Sequence, residues 1–68
     1  VDMKKAKLEL EEVLKEKGIS QTWLAKKLDK SYNTINEYSR NVRQPSLEDL
    51  YRIAKLLEVN PKDLLKEE

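Results

Sequence analysis

Apolar residues recur along this chain at spacings of three and four, the period of an α-helix with one buried face. Over about residues 3–17 the stripe is Met3, Ala6, Leu10, Val13 and Leu14, and Leu8 falls off it. Gly18 ends the helix as a residue that tolerates left-handed geometry, and Ile19-Ser20 leads into the next. Ser20 is placed to cap a second helix of about residues 21–28, with Leu24, Ala25 and Leu28 on one side. After a tight connection at Asp29-Lys30, Ser31 caps a third helix of about residues 32–39, whose inward residues are Ile35 and Tyr38. Residues 40–45 lack periodicity, and Pro45 biases Gln44 away from helix, so this stretch is predicted to be a loop. Ser46 caps a fourth helix that carries Glu48 and Asp49 in its first turn and Leu47, Leu50, Ile53, Ala54 and Leu57 as its buried stripe. Asn60-Pro61 then opens a fifth, short helix through Asp63, Leu64 and Leu65, and residues 66–68 form a polar tail expected to fray. The expected fold is all-α: one compact five-helix domain spanning residues 1–68, without repeat or linker.

Composition narrows what such a domain can do. At 68 residues, with 40% charged and 38% hydrophobic residues, the chain fits helices with one buried stripe and a solvated remainder. There is no cysteine and no histidine, which removes disulfides, thiolate nucleophiles and the usual transition-metal ligands. The glutamates at 9, 11, 12 and 16 alternate with lysines on an amphipathic helix, so a solvated face and i, i+4 pairing explain them. No glycine-rich phosphate loop occurs either, and neither an enzyme nor a cofactor nor a small-molecule substrate is expected. No apolar run approaches the roughly 18 residues that cross a bilayer, and the first residues lack a signal-peptide core, so no membrane association is expected and the expected setting is cytoplasmic. The net charge is only +1, but residues 15–43 hold seven basic against three acidic side chains, net +4, while the remainder holds seven against ten, net −3. That asymmetry points to one face meant for a polyanion.

The second helix, a connection of about three residues and a third helix of about two turns have the spacing of a helix-turn-helix. Small or apolar residues at Ala25, Leu28 and Ile35 let two helices pack steeply, so that one projects outward and can enter a groove about 12 Å wide. Trp23 is expected to face largely outward, either covering the core rim or meeting a DNA backbone or a second subunit.

The run Ile19-Ser20-Gln21-Thr22-Trp23-Leu24-Ala25-Lys26-Lys27-Leu28 with Ser31-Tyr32-Asn33-Thr34-Ile35-Asn36-Glu37-Tyr38 resembles the Cro and phage-repressor (XRE) helix-turn-helix family. So do Arg43-Gln44-Pro45-Ser46-Leu47-Glu48-Asp49-Leu50 and the segment from Ile53 to Leu65, so the likeness covers about residues 10–65. It implies a lambda-repressor-like fold and sequence-specific binding of double-stranded DNA by a transcriptional regulator, foremost a repressor, with control of a restriction–modification system among the roles. It further implies that Gln21 bonds a phosphate and braces the third helix. Base edges would be read by Tyr32, Asn33, Asn36 and Glu37, residue types suited to adenine, cytosine N4 and the thymine methyl. Ser31, Thr34, Arg40, Asn41 and Arg43 would hold phosphates, which positions the protein without reading sequence.

Three departures stand out. Asp29 occupies a turn position usually held by glycine, and Leu14 and Ser39 stand where many members pair an arginine with a glutamate. Losing both partners of a buried ion pair is far less harmful than losing one. Glu37 would repel phosphates unless it met a cytosine.

One short reading helix gives little affinity, so a homodimer on an operator with paired half-sites is expected, with Leu56, Val59, Leu64 and Leu65 as its candidate surface. The alternative from another class is an antitoxin-like protein-interaction module in which DNA binding is secondary.

Overall fold

The computed structural model describes residues 6–67. Four α-helices make up most of it: α1 (Leu10–Lys17), α2 (Gln21–Leu28), α3 (Tyr32–Ser39) and α4 (Leu47–Leu57). They are joined by a 3-10 turn at Pro61–Leu64 and framed by two short strands, β1 (Ala6–Leu8) and β2 (Leu65–Glu67). The strands pair antiparallel, with Ala6 opposite Glu67, Lys7 opposite Lys66 and Leu8 opposite Leu65.

Each α-helix ends where the sequence provides a stop or a start. Gly18 takes the left-handed conformation at φ 67°, and the Ile19 N–H reaches back to the Leu14 carbonyl at 3.0 Å. Ser20, Ser31 and Ser46 each accept a backbone N–H three residues on, from Trp23, Thr34 and Asp49. Glu58 closes α4 at φ 59°, a left-handed cap without glycine. The core gathers one face from every helix: Leu10, Val13 and Leu14; Leu24, Ala25 and Leu28; Ile35 and Tyr38; Leu50, Ile53, Ala54 and Leu57.

The two ends of the chain depart from the helical expectation. The first helix starts at Leu10 rather than near residue 3; of its expected stripe, Met3 lies outside the described residues and Ala6 belongs to β1. The reason is visible in the alternation Lys7, Leu8, Glu9, Leu10: Leu8 is 2% exposed and Leu10 is buried, while Lys7 is exposed. That is the period of a strand. Leu8, off the helical stripe, is thereby a core residue. At the other end the expected fifth helix is a single 3-10 turn, and Leu65, Lys66 and Glu67 form β2 instead of a helical continuation and a frayed tail. Pairing with β1, reinforced by the Glu9 N–H to the Leu64 carbonyl at 2.6 Å, supplies the backbone partners that a longer helix would have supplied. Leu47 is also corrected: it is 65% exposed, because it occupies the first position of α4, one turn before that helix meets the core.

Candidate nucleic-acid interface

The turn between α2 and α3 is built without glycine. Asp29 adopts φ 58°, and the Lys30 N–H bonds the Ala25 carbonyl at 2.9 Å, so the aspartate supplies the left-handed residue that the departure at this position put in question. Ala25 is buried beneath the turn, where its small side chain allows α2 and α3 to approach. Lys30 reaches from the turn to Asp49 in the first turn of α4 at 3.1 Å, and Arg52 meets the other oxygen of the same carboxylate at 3.6 Å. Asp49 therefore ties the helix-turn-helix to α4 in a half-buried setting. Sequence reading assigned Asp49 only a role with its own helix; a pairing across 19 residues leaves no periodic trace.

Ser31 starts α3 by capping the Thr34 N–H at 3.1 Å, and its hydroxyl also lies 3.0 Å from that of Thr34. Both expected phosphate contacts thus have a structural bond at the start of α3, and Ser31 remains exposed. Between them, at the start of α3, Tyr32 is 53% exposed and Asn33 is exposed. Asn36 and Glu37, a turn later, are half-buried. Asn36 donates from Nδ2 to Gln21 Oε1 at 3.2 Å and accepts from Arg40 Nη1 at 3.5 Å. The brace between α2 and α3 expected of Gln21 is this bond.

Glu37 is not left to repel phosphates. Its carboxylate faces the Arg43 guanidinium at 3.6 Å, and its carbonyl accepts the N–H groups of Val42 and Arg43. The loop after α3 is thereby folded back onto the helix end, and Arg43 keeps a 60% exposed side chain while paired. Arg40 is exposed.

Asn41 differs from its expected role. Its side chain is half-buried and bonds backbone: Oδ1 accepts the Leu8 N–H at 2.8 Å, and Nδ2 donates to the Leu8 carbonyl at 3.0 Å. Gln44 Nε2 adds a third bond to Oδ1 at 3.3 Å. An amide engaged on both ends with β1 is not presented to a phosphate, and residue-type reasoning missed this because the partner strand is only three residues long.

Trp23 stands at the surface, 39% exposed, with Lys27 Nζ 5.6 Å from its ring centroid, within reach of a cation–π attraction. Of the candidate dimer residues, Leu64 is wholly buried in the core, Leu56 and Val59 pack partly against it, and Leu65 is exposed. Leu64 is therefore a core residue and unavailable to a partner.

Helix α2, a left-handed turn and a capped α3 braced by Gln21 and Asn36 together make a helix-turn-helix. Residues 10–64 match the family described as helix-turn-helix. The chain belongs to the XRE-type helix-turn-helix family. A solved protein from Bacteroides fragilis, named as a putative DNA-binding protein, is 39% identical and superposes with a TM-score of 0.89. The match covers 91% of this chain and 100% of that one. No curated protein matches. Among the described residues no helix of this family member is long and apolar enough to cross a membrane.

Proposed function

We propose that this protein binds double-stranded DNA sequence-specifically by laying α3 in the major groove, and that it regulates transcription, acting as a repressor where its site overlaps a promoter. The observation that carries this reading is the outward turn of α3, where Tyr32 and Asn33 stand exposed on a helix capped by Ser31 and braced through Asn36 and Gln21. Polar residues on a rigid, projecting helix suit base-edge readout, and the name of the Bacteroides fragilis relative agrees. Among the described residues Asn33 has no side-chain partner and is the stronger candidate for adenine; Asn36 shares its amide with Gln21 and Arg40 and can read bases only alongside that brace. Arg40 and Arg43 flank the helix end as backbone-gripping cations. A homodimer on half-sites about 34 Å apart completes the proposal, because two turns of helix reach few base pairs alone. Its surface would draw on Leu56, Val59 and Leu65.

Selection of bound duplexes from a random pool gives the half-site and its spacing. On the selected duplex, Asn33→Ala should weaken binding by about 1–3 kcal/mol while leaving mixed-sequence DNA nearly untouched. Arg43→Ala should weaken both to a similar extent. Equal behaviour of the two variants on both duplexes would remove the separation of reading from gripping. A protein that ignores DNA at every salt concentration would favour a protein-interaction module.

A further inference from the structure

We propose that Asn41 is a positioning residue for DNA binding: its side-chain amide acts as one residue of a missing third strand, and so fixes the loop that carries Arg40 and Arg43 relative to α3. The inference rests on the reading of α3 as the DNA-contacting helix.

In an antiparallel pair each residue points its N–H and C=O to the same edge, and the edge alternates along the strand. Glu9 directs its N–H toward the Leu64 carbonyl, on the β2 side, so Leu8 directs both of its groups to the opposite edge. There Asn41 meets both, accepting at 2.8 Å and donating at 3.0 Å. A primary amide offers an acceptor and a donor side by side, as a neighbouring strand residue does. The backbone of Asn41 is set for this task, at φ 59°, a conformation that asparagine tolerates better than most residues. Leu8 is in turn fixed by its buried side chain, so the clamp is anchored to the core.

The other side of the loop is tied to α3. The N–H of Arg40 bonds Asn36, that of Asn41 bonds Tyr38, and those of Val42 and Arg43 both bond Glu37. Residues 40–43 therefore bridge the end of α3 and the outer edge of β1, with Asn41 as the only residue in that segment bonded by its side chain to β1 among the described hydrogen bonds. Releasing the amide would free the loop on one side and let the Arg43 guanidinium leave the place where it can meet a phosphate while pairing with Glu37.

A double-mutant cycle with two readouts tests this. Asn41→Gly keeps the left-handed backbone and removes the amide; Asn41→Asp, which keeps the acceptor for the Leu8 N–H, serves if the glycine variant fails to fold. The first readout is amide hydrogen exchange of the free protein. The expected result is exchange faster by about tenfold or more at Leu8, Val42 and Arg43, with the centre of α4 unchanged. Unaltered exchange at Val42 and Arg43 would overturn the proposal whether or not the protein binds DNA. The second readout is affinity for the selected duplex and for a mixed-sequence duplex. Asn41→Gly should weaken binding to both by about tenfold, and Arg43→Ala should then add little, although it weakens the otherwise unaltered protein. Full additivity of the two substitutions would show that Asn41 does not act through Arg43. If the unaltered protein binds neither duplex, the DNA reading fails by itself and the exchange result still decides the clamp.

Discussion

Ser39 and Glu58 show how single residues record compromises in this fold. Ser39 is buried at the end of α3 with no hydrogen-bond partner for its Oγ among the described residues, at the position where the family's arginine–glutamate pair would place its carboxylate, while Leu14 is buried at the other. An unsatisfied buried hydroxyl is unfavourable and alanine is the better helix former, so Ser39→Ala should raise stability by about 1 kcal/mol, read as a higher urea midpoint at constant slope. A lower midpoint would mean that the hydroxyl has a partner in solution. Glu58 adopts φ 59° with no short polar side chain to ease the left-handed conformation. Glu58→Gly should therefore gain roughly 1 kcal/mol in the same measurement. Asp29→Gly should gain less, because aspartate tolerates that geometry. Glycine at both positions with no gain would show that the strain is relieved elsewhere.

At the scale of elements, the sequence was most informative where one segment governs its own shape. Serine caps at 20, 31 and 46, the left-handed stop at Gly18 and the stripes of α2 and α3 needed no distant partner to be recognised. The strands were illegible for the opposite reason. Three residues carry at most one period of alternation, and each strand exists because the other lies beside it. Leu8 gives the test. Leu8→Ala should destabilise the fold by about 2–4 kcal/mol, whereas Leu65→Ala, opposite it but exposed, should change stability by less than about 1 kcal/mol in equilibrium unfolding. Similar small effects of both would mean that β1 adds nothing to the core.

For the whole molecule, charge distribution and cross-element pairing together decide which cations can serve DNA. Residues 15–43 carry the positive excess, yet Lys30 is engaged with Asp49, and Arg43 is paired with Glu37 while remaining exposed. Log K for duplex DNA should fall linearly with log salt at about −0.9 per phosphate neutralised, and Arg43→Ala should reduce the slope by about one. Lys30→Ala should leave the slope nearly unchanged and lower stability instead; a slope change equal to that of Arg43→Ala would show that Lys30 faces the DNA. The order of residues alone pointed to the four main helices, the serine caps at 20, 31 and 46, the stop at Gly18 and the exposure of Tyr32 and Asn33, because these follow from local periodicity and from hydrogen bonds within three or four residues. Only the tertiary structure decided that the ends of the described chain pair as strands, that Leu8 and Leu64 belong to the core, that Asp29 takes the left-handed turn position, that Glu37 faces Arg43, and that Asn41 bonds β1. Those outcomes depend on groups up to several tens of residues apart, and a side chain's partner at such a distance is set by packing rather than by its neighbours in sequence.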